Sequence, residues 1–214
     1  IKFKDIIMEK ISWYKKYFSD YVVGIVEGNT IEVVVLLVLA LLTKGKVVLL
    51  GNNLKKSEFE YYVEKLEIQK IFISESKKNE FRIDREDKVF FGTLSCLNFG
   101  EKKASNTSYK MEDYIIQLTS GSEGVSKVVA RSENSLRNEI INTCKDIDFQ
   151  NDEVFMTIPP IYHSYGLVLG ILLPLYMGKT IVLMNKFDPN LVENYLIKYE
   201  VNVLVGVPFI YHIL

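Results

Sequence analysis

The sequence predicts an α/β fold in which parallel-rich β-sheets are flanked by helices. Three observations carry that prediction. Short β-branched runs alternate with longer helical segments from the first third of the chain to its last residues. The strand candidates are continuous apolar runs, as expected where helices cover both faces of a sheet. The segments joining them have the length of crossover helices, which fixes the connections as right-handed.

Residues 1–17 place Phe3, Ile6, Ile7, Ile11, Trp13, Tyr14 and Tyr17 among lysines at near-helical spacing, which predicts an amphipathic helix packed on the body. Residues 21–26 read as the first strand. Gly28-Asn29-Thr30 then supplies a turn and a helix cap, with Asn29 or Thr30 accepting from the first free backbone amides. The helix over 31–43 is apolar nearly all round and so buried on most faces. Lys44-Gly45 ends it as a C-terminal cation and a left-handed glycine. A strand over 47–50 completes the first crossover unit. The second has a helix over 56–66 capped by Ser57 and a strand over 68–74. Residues 77–87 read as an exposed charge-rich bridge, 89–91 as a short strand and 100–110 as a polar linker. The chain accordingly divides into an α/β subdomain over 1–110 and a second over 111–214.

The second subdomain opens on Tyr114-Ile115-Ile116, a buried-strand pattern. After it, Ser132 caps a helix over 133–144. A strand over 154–158 stops at Pro159-Pro160, and Ile161 to Gly166 opens an apolar helix to Met177, closed by Gly178. A strand over 180–184 follows, then a helix capped by Asp188 and running to Tyr199. A last strand over 203–207 ends at Pro208, where a further helix begins.

Composition bounds the functions. The chain has 214 residues, 48% of them hydrophobic and 25% charged, which suits a substantial core. A net charge of −1, with basic and acidic residues intermixed, leaves no electrostatic footprint for nucleic acid. Cys96 and Cys144 lack metal-ligand spacing and read as thiols of a reducing, cytoplasmic compartment, with a disulfide between them left open. The longest apolar run, 33–42, is about half of what crosses a bilayer, so no membrane span is expected. No signal peptide is read at the start, and the missing initiator methionine suggests a trimmed chain.

The chemistry concentrates where the strand at 114–118 breaks into Thr119-Ser120-Gly121-Ser122-Glu123-Gly124, followed by Lys127. Glycines let backbone amides approach and converge, hydroxyls add donors, and a lysine neutralises charge, so the segment suits phosphate. The spacing differs from the ordinary P-loop, whose lysine directly follows its second glycine. A plain hairpin loop with a surface lysine is the other reading. Further on, His163 stands just past a strand end, where open α/β sheets bind ligands.

These blocks resemble the adenylate-forming (AMP-binding) superfamily of acyl-CoA synthetases, peptide-synthetase adenylation domains and luciferases. Thr119, Ser120, Gly121, Ser122, Gly124, Lys127 and Val129 lie on its phosphate-loop pattern. Glu123 replaces a hydroxyl residue and Ser126 a proline. Gly28, Asn29, Glu32, Ala40 and Gly45 match an amino-terminal helix template; Pro160, His163 and Gly166, then Gly178, Phe187, Asp188, Pro189, Val201, Val207, Pro208 and Tyr211, match the later blocks. The resemblance covers 21–214 and implies the incomplete amino-terminal domain of that fold. It implies an ATP- and Mg-dependent ligase that turns a carboxylic acid into an acyl-adenylate and passes it to coenzyme A or a carrier-protein thiol. Thr119 to Gly124 and Lys127 would hold the nucleotide's phosphates, and His163, Tyr165 and Gly166 would border the acid, with His163 and Lys127 as the catalytic pair. The family's later determinants do not occur before Leu214, so the chain reads as a fragment inactive by itself. A non-catalytic nucleotide- or partner-binding module with a degenerate loop is the alternative, favoured by Glu123 and Ser126.

Overall fold

The structure is a computed structural model and describes residues 2–84, 89–100, 113–119, 126–147, 149 and 153–214. It forms two compact units, one of Ile1–Glu27 with Ile31–Glu133 and one of Gly28–Thr30 with Asn134–Leu214. The boundary expected at 110/111 lies outside the described residues, as does the linker beyond Gly100.

The first unit contains α1 (Phe3–Phe18), β1 (Val22–Val26), α2 (Ile31–Thr43), β2 (Lys46–Leu49), α3 (Lys56–Lys65), β3 (Lys70–Ser74), α4 (Glu75–Phe81), β4 (Val89–Phe91), β5 (Leu94–Asn98), β6 (Asp113–Thr119) and β7 (Lys127–Ser132). Its sheet has the order β4-β5-β3-β1-β2-β6-β7. The pairs β1–β2, β1–β3 and β2–β6 are parallel, while β4, β5 and β7 join antiparallel toward the edges. The period-two alternation of strand side chains sorts the apolar residues between two faces. Val22, Val26, Val48, Ile71, Ile73, Leu97, Ile116 and Leu118 pack with Phe59 and Tyr62 of α3 and Phe81 of α4. The intervening Val23, Ile25, Val47, Leu49, Phe72 and Ile115 are buried on the opposite side. There the Phe18 ring of α1 lies 5.1 Å from that of Phe72, and α1 packs on α2.

The second unit contains α5 (Glu133–Asp146), β8 (Val154–Thr157), α6 (Ser164–Leu167), a π-helical turn (Val168–Leu172), α7 (Leu173–Tyr176), β9 (Thr180–Leu183), α8 (Pro189–Lys198), β10 (Val203–Val205) and α9 (Pro208–Ile213). Its sheet is wholly parallel, in the order β10-β8-β9. The crossovers from β8 to β9 and from β9 past β8 to β10 run in opposite directions across the sheet, so right-handedness puts their helices on opposite faces. Met156 and Ile158 accordingly meet Val192 and Ile210 of α8 and α9. Thr157, pointing the other way, donates its hydroxyl to Gly170 O at 2.7 Å.

Several expectations are corrected. The segment read as an exposed bridge contains α4, anchored by Phe81 at 1% exposure, because one aromatic residue suffices to seat a short helix. Strand β5 was not anticipated, since its Leu94-Ser95-Cys96-Leu97-Asn98 lacks a continuous apolar run. Ser57 lies inside α3; the helix is capped by Glu58, whose carboxylate accepts from Lys55 N at 2.9 Å. Asp188 does cap α8, accepting from Asn190 N and Leu191 N.

The helix ends carry stored strain. Lys44, Glu67, Arg82 and Glu200 have φ of 57°, 50°, 53° and 51°, each just past a helix, and among the described helix ends only Gly178 (φ 70°) is a glycine in this position. After α2 the left-handed residue is Lys44 and not Gly45: Gly45 N reaches Ala40 O at 2.8 Å and Lys44 N reaches Leu41 O at 3.3 Å, a closing pair that needs the turn one residue earlier. Side chains in left-handed backbone crowd the following carbonyl. Glu200→Gly is therefore expected to stabilise the protein by about 0.5–1 kcal/mol, read as a higher urea midpoint at unchanged slope. A second expectation concerns Tyr14, fully buried with no hydrogen-bond partner for its hydroxyl. Burial, with Cys96 adding to it, pushes its pKa far up. Removing an unsatisfied buried hydroxyl leaves stability unchanged or raises it by about 1 kcal/mol, so Tyr14→Phe should not lower the thermal midpoint.

Candidate active site

The first candidate segment lies at the carboxyl end of β6. This strand pairs parallel with β2 on one side and antiparallel with β7 on the other. The register sets Thr119 opposite Lys127, and the Thr119 hydroxyl donates to Lys127 O at 3.4 Å. Thr119 and Lys127 thus stand together at the mouth of a hairpin, both exposed. Ser120, Gly121, Ser122, Glu123 and Gly124 lie outside the described residues. The exit of the segment is fastened by Tyr62 of α3, whose hydroxyl donates to Ser126 O at 2.9 Å. A hydroxyl residue and a cation on adjacent strands suit an anion that straddles them. β7 is an edge strand, and Lys127 and Arg131 give it the charge such edges carry.

The second segment lies in the other unit, at the carboxyl end of the central strand β8. Strand order reverses there, which is where open parallel sheets offer a crevice. Pro159 and Pro160 stop the strand, and His163 occupies the N-cap position of α6 without using its imidazole as a cap. Its ring lies 4.6 Å from that of Tyr162, and the residue is exposed. Partial burial of the ring lowers its pKa, so the imidazole is neutral at pH 7. Tyr165, two residues on, donates its hydroxyl to Gly206 O at 3.1 Å, just past β10. Tyr211 donates to Leu204 O at 2.6 Å, and burial together with Tyr211 raises the pKa of Tyr165. Gly166 is required by close approach: a Cβ there would collide with Pro160 O and lie 2.6 Å from Pro159 O. Gly170, within the π turn, meets the Thr157 side chain in the same way. The wider π turn lets the helix lie against β8 while keeping the bond from Thr157.

Sequence reasoning named Asn29 as one of two candidate caps, with Thr30, and missed what its side chain holds. It is not the cap of α2. Its side chain, 4% exposed, donates through Nδ2 to Ile158 O (3.4 Å) and Pro159 O (3.0 Å), and its Oδ1 accepts from Ile161 N at 2.8 Å. Its own backbone N–H donates to Asn185 Oδ1 at 3.1 Å. Nothing local foretells this, because its partners lie 129 or more residues away. Among the described residues no three His, Cys, Asp or Glu side chains converge as a metal site.

Solved structures share this fold. The chain superposes on o-succinylbenzoate-CoA synthetase of Bacillus subtilis with ATP and magnesium (TM-score 0.75, 16% identity, 98% of this chain and 44% of that one). It also superposes on ATP-bound MatB of Rhodopseudomonas palustris (TM-score 0.73, 18% identity, 97% and 42%). At these identities the likeness is one of fold, and the fold is that of the adenylate-forming enzymes. The family model for AMP-binding enzymes matches residues 18–214, and the chain belongs to that family. Among curated relatives, human mitochondrial malonate–CoA ligase is 31% identical over 100 residues, 45% of this chain and 17% of the relative. The 3,4-dihydroxybenzoate–[aryl-carrier protein] ligase of Bacillus anthracis is 30% identical over 125 residues, 58% and 30%. The chain therefore spans less than a third of these relatives' length. No helix among the described residues is long and apolar enough to cross a membrane.

Two outcomes are expected at the His163 segment. Gly166→Ala forces the carbonyls of Pro159 and Pro160 apart from α6, and should cost about 2–4 kcal/mol of stability in urea unfolding. The lowered pKa of His163 means the unfolded chain binds its proton more readily. That contribution to stability is complete above the ordinary histidine pKa and is lost as pH falls through and below it. His163→Gln should therefore lose less stability than the parent between about pH 7 and pH 5.

Proposed function

We propose that this chain provides the phosphate-holding and acid-facing segments of an ATP-dependent, AMP-forming carboxylic acid–thiol ligase. The observation that carries the reading is the β6–β7 hairpin, which pairs Thr119 with Lys127 at the carboxyl end of a parallel-paired strand. It is supported by relatives that join acids to coenzyme A or to an aryl-carrier protein, and by solved neighbours that bind ATP with magnesium or an acyl-adenylate. The segment 120–126 joins those two residues, and the backbone amides and hydroxyls of 120–124 are the natural donors to the β- and γ-phosphates.

In the first half-reaction a carboxylate oxygen attacks the α-phosphorus of ATP. A P–O bond forms, the bond to the bridging oxygen breaks, and pyrophosphate leaves. In the second, a thiol of coenzyme A or a carrier protein attacks the acyl carbon, forming a thioester and releasing AMP. Charge gathers on phosphate oxygens, so positioned donors and cations supply most of the stabilisation. Lys127 brings the cation, and hydrogen bonds to charged phosphate are about twice as strong as neutral ones. His163, neutral at pH 7, serves the acid as a hydrogen-bond partner, with Tyr165 and Gly166 shaping the wall beside it. Magnesium travels with the nucleotide; no described residue is assigned to it. Glu123 opposes the phosphates by about 1–4 kcal/mol at surface-like dielectric. We place the enzyme in the cytoplasm, whose reducing poise suits cysteines kept as thiols, as Cys96 and Cys144 are.

The test is pyrophosphate release by the full-length protein with Mg-ATP and a panel of carboxylic acids. At least one acid should support turnover. Lys127→Ala should lower kcat/KM for ATP by about 10–100-fold, the worth of a hydrogen bond to a charged group. Glu123→Thr should leave the fold intact and tighten ATP or pyrophosphate binding. Silence with every acid, alongside retained ATP binding, would overturn the ligase reading in favour of a nucleotide-binding module.

A further inference from the structure

Asn29 is the one side chain seen to hold the turn between β8 and α6 by three hydrogen bonds. Its chemistry fits that place without remainder. The amide nitrogen has two N–H groups, and both face carbonyls, those of Ile158 and Pro159. The amide oxygen faces a backbone N–H, that of Ile161. This complementarity also fixes which way round the amide lies, since the flipped form would set an oxygen against two carbonyl oxygens. Within the turn His163 N donates to Pro160 O at 3.0 Å, but Pro159 and Pro160 offer no N–H of their own. The Ile158 and Pro159 carbonyls take their donor from Asn29, and buried carbonyls left without one cost free energy. Asn29 is in turn held by Asn185, at the exit of β9, through its backbone N–H. The turn so fastened leads within two residues to His163, and its Pro159 and Pro160 carbonyls also form the surface against which Gly166 packs.

We propose that Asn29 is a positioning residue for the acid-facing segment, setting where His163 and Tyr165 stand at the carboxyl end of β8. This rests on the ligase reading for the word acid, but the placement of His163 can be measured without it. Neither aspartate nor alanine can replace the amide. Aspartate keeps an acceptor for Ile161 N and loses both donors, turning a carboxylate oxygen toward two carbonyls. Alanine loses all three bonds. Asn185→Ala is the milder perturbation: Asn185 is exposed, and only its bond to the Asn29 backbone is removed.

The experiment uses the full-length protein and its Asn29→Asp, Asn29→Ala and Asn185→Ala variants. The His163 imidazole is followed by NMR through a pH titration without substrate, its resonance assigned by its loss in His163→Gln. Kinetics with a supporting acid are measured in parallel. Asn29→Asp and Asn29→Ala should shift the His163 titration and raise the KM for the acid about tenfold or more, with the KM for ATP changed less than twofold. Asn185→Ala should move both readouts in the same direction by a smaller amount, and it stands in for the others if they do not fold. An unmoved His163 titration with an unmoved acid KM in any folded Asn29 variant, or in Asn185→Ala if none folds, overturns the proposal. A uniform fall in activity with both Michaelis constants and the titration unchanged does so too, since that is the mark of a merely structural role. Should no acid support turnover even in the parent, the ligase reading fails, and the titration alone decides whether Asn29 positions His163.

Discussion

Parallel pairing of the central strands is the constraint from which the arrangement of each unit follows. Parallel neighbours cannot be joined by a tight turn, so each connection crosses over as a helix, and it does so with one hand. In the first sheet β1 lies between β2 and β3, and in the second β8 lies between β9 and β10. In both, one crossover runs from the central strand to one neighbour and the next returns past the central strand to the other, so helices cover both faces. The strand side chains divide between those faces by alternation, and polar chemistry is driven to the strand ends. Both candidate segments lie at such ends, after β6 and after β8.

The two ends solve different problems. After β6, the antiparallel partner β7 brings the chain straight back, which sets Thr119 beside Lys127 without a helix between them. The geometry is backbone-driven, and the side chains follow from the register. After β8, two prolines forbid a strand and remove two N–H donors from the turn, which bonds itself through His163 N and Pro160 O. That turn is held from outside, by the Asn29 amide and by the close packing of Gly166. Prolines, a glycine that admits no Cβ and one buried amide together fix a segment that has little regular structure of its own. The strain in the molecule lies elsewhere, at helix ends where Lys44, Glu67, Arg82 and Glu200 adopt left-handed backbone.

The sequence by itself determined the fold class, the order of most elements and the place of the two candidate segments. These are local properties: β-branched runs give β1, β2, β3, β6 and β8, a 3.6-residue period gives α1 and α5, and Gly178 and Asp188 mark helix ends by their own stereochemistry. The phosphate-loop motif and the Pro-Pro-Ile-Tyr-His string are contiguous and so legible. The tertiary structure alone decided what depends on neighbours distant in sequence. Strands β5 and β7 exist because other strands offer them backbone partners, and their side chains give no periodic signal. The helix α4 forms because Phe81 finds a place beside Phe59, at 4.9 Å between ring centroids. Asn29 reads locally as a helix cap and acts as a clamp on carbonyls more than a hundred residues on. An amide's donors and acceptors are the same in either role, and only the fold determines which groups they face.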